Sequence, residues 1–407
     1  MSRHSLLRTW QLLGLGLALV ASANAADEIE IVFANRIPSV APFSDSKTGF
    51  GLEAGSVARE GSNSITSDQP FLLSAKVPEG NYLVTAVFGD DAVASTNTVK
   101  AELRRLMVEQ VTVPKGGSVA QSFVVNVRTP AIARGGNVRL KTREKESEMV
   151  NWDEKLTLEF NGMRPSLRAL QIKRVEVPTI FLTGDSTVCD QPREPWNSWG
   201  QMLPRFFGAG VAVANYAQSG ESIRSSLGAR RFDKIFSLMK SNDWLFVQFG
   251  HNDMKDKATN ALAVYKSNLK KIVARTRELG ATPMLITSME RKAGVEHDTL
   301  EGYPQTVRDV AREDGVALID LHATSKVLYR AWGANLEKAF QDGTHHNNYG
   351  SYELARCVVE GIRSDVPSLA KFLAADVARF DPAQPDAPDQ FAIPASPLED
   401  RGKPDGN

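Results

Sequence analysis

The chain has 407 residues, with 48 Lys and Arg against 48 Asp and Glu, a formal net charge of zero, and 42% hydrophobic residues. That length is enough for two domains of ordinary size. The balanced charge excludes the basic footprint of a nucleic-acid binder and a polybasic membrane patch, so neither nucleic acid nor membrane is an expected partner.

Residues 1–25, MSRHSLLRTWQLLGLGLALVASANA, run from a basic start (Arg3, Arg8) through an apolar stretch beginning at Trp10 to Ala23-Asn24-Ala25. This is the pattern of a secretory signal peptide with its cleavage site. It predicts a mature chain from Ala26, exported to the periplasm or the cell exterior. No later segment reaches the ~20 apolar residues that a membrane span needs. Export makes a disulfide possible between the two cysteines, Cys189 and Cys357; a bridge and two buried free thiols are both open readings.

Over 26–177 the chain reads as strands. EIEIVFAN, FLLSAKVPEGNYLVTAVFGD, SFVVNVRT, NVRLKTRE and KLTLEFNG are alternating or β-rich runs, separated by turns at 78–81, 115–118 and 134–137. Short strands with glycine-rich turns predict an all-β sandwich or jelly roll. The charged run 141–148 reads as a solvated hairpin edge.

Over 178–380 the rhythm changes to strand, loop, helix. Buried strands are predicted at 178–184, 211–216, 243–249, 282–288 and 316–320. Helices are expected around 197–207, 226–240, 261–279, 303–314 and 348–364. This predicts an α/β domain with a parallel five-stranded sheet covered on both faces, with ligands beyond the carboxyl ends of its strands. The tail, 381–407, is rich in Pro, Asp and Ala and is expected to be disordered or loosely attached. No Pro/Gly/Ser-rich linker separates the two halves, which implies that they pack on each other.

Three strand ends and one loop carry polar groups. The first strand ends in Gly184-Asp185-Ser186, the second runs into a small-residue loop at Gly220, and the third ends in Gly250-His251-Asn252-Asp253. Asp342 and His345 precede the last helix. Acyl transfer needs a nucleophile, a base within reach, a carboxylate to orient that base, and donors for an oxyanion. Among the histidines, His345 has a carboxylate at fixed short range, three residues before it. His346 is one residue off that spacing, His297 lies in a polar loop, and His322 could cap or pack. Singly, each motif also reads as an ordinary turn or helix cap; their joint order on successive strand ends argues for a site.

GDST at 184–187, SGESIRS around Gly220, GHND at 250–253 and DGTHHNNYG from Asp342 resemble the four blocks of SGNH (GDSL-type) hydrolases. The finer pattern is similar to rhamnogalacturonan acetylesterases, carbohydrate esterase family 12. The resemblance implies a flavodoxin-like hydrolase sheet, with Ser186 as nucleophile, His345 as base and then acid, and Asp342 as its orienter. It implies an oxyanion hole of the Ser186 and Gly220 N–H groups with Asn252. A β-rich domain in front resembles the carbohydrate-binding-like modules of bacterial polysaccharide esterases. The nucleophile elbow Gly-x-Ser-x-Gly is not found, which argues against a lipase-type α/β-hydrolase.

The function expected is an exported serine esterase that removes O-acetyl groups from a plant-type polysaccharide, rhamnogalacturonan or pectin first, with water as the second nucleophile and no metal or organic cofactor. Its partner is then an acetylated polysaccharide or oligosaccharide. Another SGNH ester specificity and a silent carbohydrate-binding protein are the alternatives. Trp196 and Trp199 read as a sugar platform or as core, Arg224 as a partner for a galacturonate carboxylate or as a structural ion pair, and His251 as a substrate contact. A zinc site at Asp342, His345 and His346 lacks a further ligand block.

Overall fold

The computed structural model describes residues 28–33, 40–400 and 402–404; the segment read as a signal peptide lies outside them. The N-terminal half is a sandwich of two antiparallel sheets. One runs in the order Arg59–Glu60, Ile65–Thr66, Ser166–Arg174, Gly80–Phe88, Val119–Val127, with Glu28–Val32 also paired to Ser166–Arg174. The other runs Phe50–Leu52, Phe71–Lys76, Lys155–Asn161, Ser95–Ala101, Arg105–Val113. Strand alternation drives the packing: Tyr82, Val84, Ala86 and Phe88 turn inward from one strand and meet Phe71, Leu73, Leu158 and Phe160 in one core.

Two expectations for this half fail. NVRLKTRE forms no strand, and its charged continuation is not a solvated hairpin. Residues Thr142–Lys145 form a short helix followed by the turn Met149–Trp152, and Glu144 and Glu148 are buried. Their charges are matched inside the protein, Glu144 by both terminal nitrogens of Arg231 at 2.9 and 2.7 Å. Reading charge as exposure overlooks such partners. The strands Ser95–Ala101 and Arg105–Val113 were not among the expected runs, because Lys100 and Arg105 are buried inside them.

The second half holds five parallel strands in the order Ala212–Asn215, Thr179–Thr183, Trp244–Val247, Thr282–Ile286, Ala317–Ile319. This is the predicted flavodoxin-like sheet, and its order reverses between the first and third strands in sequence, Thr179–Thr183 and Trp244–Val247. Alternate residues feed two cores: Ile180 and Leu182 face the long helix Asn348–Asp365, whereas Phe181 faces the Arg231–Leu238 and Ala261–Glu278 helices. The expected helices are present, that at 226–240 in two pieces, Ile223–Gly228 and Arg231–Leu238. A further helix, Leu321–Trp332, was not expected; the Asp320 side chain caps it by accepting from the Ala323 N–H.

The halves share a dense seam. Leu106 of the sandwich belongs to the hydrolase core, and the Leu103 carbonyl accepts from Gln201 Nε2 at 2.6 Å. Nor is the tail loosely attached as far as it is described. Lys100 Nζ donates to Pro394 O at 2.7 Å and Ser396 Oγ at 2.8 Å, and the Glu194 N–H donates to Leu398 O at 2.9 Å. Composition misjudged the tail because buried polar groups of the seam hold it together with a few apolar side chains, Ile393 in the hydrolase core and Phe391 against Tyr349 and Tyr352. Cys189 and Cys357 are buried free thiols. No helix among the described residues is long and apolar enough to cross a membrane.

Candidate active site

The first hydrolase strand, Thr179–Thr183, is wholly buried and delivers Gly184, Asp185 and Ser186 at its carboxyl end. Gly184 is required by space: a Cβ there would sit 2.8 Å from Gln248 O and 2.6 Å from Val188 Cγ2. Asp185 is fully buried and turns the chain, its Oδ1 accepting from the Thr187 N–H at 2.9 Å and the Thr187 hydroxyl at 2.7 Å. Burial raises its carboxyl, but His251 and Thr187 outweigh that and hold it below the usual range.

Ser186 Oγ lies 2.7 Å from His345 Nε2, and His345 Nδ1 lies 2.9 Å from Asp342 Oδ2. The other oxygen of Asp342 accepts from the N–H groups of Thr344 and His345, each at 2.7 Å. Burial pushes the Asp342 carboxyl up, yet the His345 ring and these two backbone N–H groups hold it well below the ordinary carboxylate range. The carboxylate therefore fixes both the backbone and the ring of its histidine. The i, i+3 spacing read from the sequence is a tight turn just before the Asn348–Asp365 helix.

Gly220 adopts φ +74°, a left-handed conformation that favours glycine. Neither the Ser186 N–H nor the Gly220 N–H donates to a protein acceptor among the described residues. Asn252 Nδ2 donates to Glu221 O at 3.1 Å, which leaves its second hydrogen and places the amide beside the Gly220 loop. The loops that carry the three expected donors adjoin: the Gln218 N–H donates to Gly184 O at 3.1 Å, and Asn252 reaches the Gly220 loop at Glu221 O.

The GDSL-like lipase/acylhydrolase family model matches residues 182–352, which span this whole arrangement. The chain is similar to the rhamnogalacturonan acetylesterase RhgT of Bacillus subtilis, 35% identical over 206 residues that cover 45% of this chain and 88% of that protein. The chain belongs to the GDSL-like lipase/acylhydrolase family. It is a carboxylic ester hydrolase. A second relative, the probable rhamnogalacturonan acetylesterase YesY of the same organism, is 32% identical over 45% of this chain and 92% of that protein. Among solved structures, the Bacillus subtilis protein YxiM is 21% identical with a TM-score of 0.46, over 83% of this chain and 98% of that one.

Within this family framework, several expected substrate contacts have other positions. Trp199 is fully buried in the hydrolase core, its Nε1 donating to Gln248 Oε1 at 2.8 Å, and cannot be a sugar platform. Trp196 is also buried: its ring meets His345 edge-on at 5.8 Å, and its Nε1 donates to Asp400 O at 2.9 Å. Trp196 braces His345 from the side. His251 is buried between Asp185 Oδ2 at 3.3 Å and Met289 O at 3.0 Å, so it supports the nucleophile turn from behind instead of facing substrate. Arg224 is exposed and pairs with Asp256 at 3.0 Å, the structural alternative raised for it.

The zinc reading also fails on geometry. His346 turns away from Asp342 into an aromatic cage, 3.9 Å between ring centres from Phe340, where its Nε2 meets the Tyr329 hydroxyl at 3.1 Å. Burial, with the neighbouring His345, lowers its pKa to about 3. The nearby Cys189 is no rival nucleophile, since burial and Glu148 push its thiol up to about 12.

Sequence reasoning missed the supports of the nucleophile loop. Gln191 Nε2 donates to Ser186 O at 2.7 Å, and Arg104 of the sandwich donates to Gln191 O and Trp196 O, both at 3.1 Å. Arg105 Nε donates to Asp190 Oδ2 at 2.7 Å, with both side chains buried. The adjacent arginines in AELRRL were a visible signal, because paired cations in a β-rich run need a buried or an external partner.

Proposed function

We propose that the protein is an exported serine acetylesterase that removes O-acetyl groups from an acetylated polysaccharide, rhamnogalacturonan first among them, through an acetyl-enzyme on Ser186. The observation that carries this reading is the continuous hydrogen-bond chain Ser186–His345–Asp342, at 2.7 and 2.9 Å, beside unspent N–H donors. In this mechanism His345 takes the Ser186 proton as Oγ attacks the acetyl carbonyl. The Ser186 and Gly220 N–H groups and Asn252 Nδ2 receive the oxyanion. His345 then gives that proton to the departing sugar oxygen, which leaves as a hydroxyl, and water, activated by the same histidine, releases acetate. Export is supported by the pattern of residues 1–25, and the polymer by the names of RhgT and YesY.

The test is acetate release from acetylated rhamnogalacturonan, acetylated xylan and a small chromogenic acetate, with Ser186→Ala as control. Wild type should favour the rhamnogalacturonan, and Ser186→Ala should lose about 10⁴–10⁶ in kcat on every substrate while staying folded. Retention of activity within tenfold by the variant would remove the nucleophile assignment. Equal or better turnover of xylan would remove the polymer assignment alone.

A further inference from the structure

The peptide unit joining Ser219 to Gly220 is gripped from behind by a cation of the N-terminal half. Lys141 Nζ donates to Ser219 O at 2.6 Å and lies 3.5 Å from Glu221 Oε1. A trans peptide is planar, so its C=O and N–H point in opposite directions. The Gly220 N–H therefore faces away from Lys141. The Ser219 hydroxyl lies 3.4 Å from Gln191 Nε2, which itself donates to Ser186 O at 2.7 Å, so this peptide abuts the nucleophile loop. On its other flank stands Asn252, bonded to Glu221 O.

Lys141 is held firmly at its backbone. Its N–H donates to Glu144 Oε2 at 2.8 Å, and Glu144 also receives Arg231 twice and Trp152 Nε1 at 3.0 Å. A buried ion pair between the Thr142–Lys145 helix and the hydrolase domain thus sets where the ammonium stands. The Lys141 side chain itself is 32% exposed.

We propose that Lys141 is a positioning residue of the oxyanion hole, holding and polarising the Ser219–Gly220 peptide so that the Gly220 N–H is aimed and strengthened as a donor. The inference rests on the oxyanion role proposed above for Gly220. An ammonium on a peptide oxygen draws density from the amide and makes its N–H a better donor, as in any hydrogen-bonded chain. The gain is largest when the acceptor carries a full negative charge. It therefore belongs to the transition state more than to bound substrate, and it appears in kcat. Removing an oxyanion donor outright costs ~10²–10³, so a donor that is weakened but present should cost about tenfold.

The experiment uses the full chain and 4-nitrophenyl acetate. Lys141→Met keeps the apolar stem, and Glu221 retains Arg231, 3.7 Å away. Its kcat should fall about tenfold with KM unchanged. In parallel, Lys141→Cys should show the same loss and recover most of it after alkylation with 2-bromoethylamine, which restores an ammonium at the lysine length. Alkylation with iodoacetamide, which adds no charge, should leave the loss in place. Cys189 and Cys357 are buried, so the reagents address the new thiol. Because both alkylated forms derive from one folded preparation, this pair decides the matter even if the methionine variant is unstable. A kcat within twofold of wild type, a loss confined to KM, or no recovery with bromoethylamine overturns the proposal. Ser186→Ala separates the two levels: if it is inactive while the Lys141 variants are unaffected, only Lys141 loses its role; if it remains active, the reading of the site falls with it.

Discussion

Around Ser186 each side chain has a distinct electrostatic task, and single substitutions should separate them. Asn252 touches the developing oxyanion in the proposed mechanism, so Asn252→Ala should lower kcat by roughly 10²–10³ with KM little changed. A change in KM alone would make Asn252 a substrate-binding group. His345 and His346 are neighbours in sequence with opposite environments. His345 joins a serine and a carboxylate, whereas His346 sits neutral among Tyr329, Trp332 and Phe340. His345→Ala should therefore fall as far as Ser186→Ala, and His346→Gln should keep kcat within a few-fold.

The same contrast gives a stability signature. With His346 lowered to about 3 in the folded protein and near 6.5 in the unfolded chain, the unfolded state binds the extra proton between those values. Stability from this group is thus complete above about pH 6.5 and is lost as pH falls towards 3, on the order of 1.4 kcal/mol per unit. Denaturant midpoints measured from pH 7 to 4 should fall more steeply for wild type than for His346→Gln. Parallel curves would show that the ring does not titrate in this way.

Among the elements, the loop from Asp185 to Trp196 is the one on which the proposed catalysis depends, and part of its support comes from the sandwich. Asp190 is fully buried and receives Arg105 Nε at 2.7 Å and Asn215 Nδ2 at 2.8 Å. Removing one partner of a buried pair leaves a charge without compensation, which costs more than the pair contributes. Arg105→Met should therefore cost about 3–5 kcal/mol in unfolding free energy, while Arg224→Met, at an exposed ion pair, should stay within about 0.5 kcal/mol. Similar midpoints for the two variants would remove Arg105 from the supports of the loop. The loop's motif was legible because Gly-Asp-Ser ends a buried strand in step with the motifs at Gly220, 250–253 and 342–345; alone it also reads as an ordinary turn. Its supports were not, because Arg104 reaches Trp196 O across 92 positions and Arg105 reaches Asp190 across 85, which no local pattern encodes.

At the scale of the whole molecule, the sandwich and the hydrolase share core and charge. Leu106 lies in the hydrolase core, Arg104 pairs with Glu194 at 2.5 Å, and the described part of the tail crosses the seam at Lys100 and Glu194. A fragment beginning near Val177 would expose the apolar surface around Leu106 and release the carbonyls of Gln191 and Trp196 from Arg104. It should be poorly soluble. In whatever fraction binds an active-site titrant, kcat on a small acetate should drop at least tenfold. A soluble, titratable fragment with wild-type kcat would show that the sandwich is a separable accessory.

The sequence by itself determined the β-rich first half and the five parallel strands, and it proposed Ser186, Asp342, His345, Gly220 and Asn252 as a site. These are local quantities: hydrophobic period, turn chemistry, and short motifs at strand ends. It did not determine which charges are inside. Glu144 in a run read as solvated, Trp199 read as a possible platform, His251 read as a contact and the tail read as loose were all decided by tertiary structure. Burial of a polar group depends on whether a partner arrives from elsewhere in the chain to repay its lost hydration, and that partner is in place only once the chain has folded, within the hydrolase domain for Trp199 and His251 and across the seam for Glu144 and the tail.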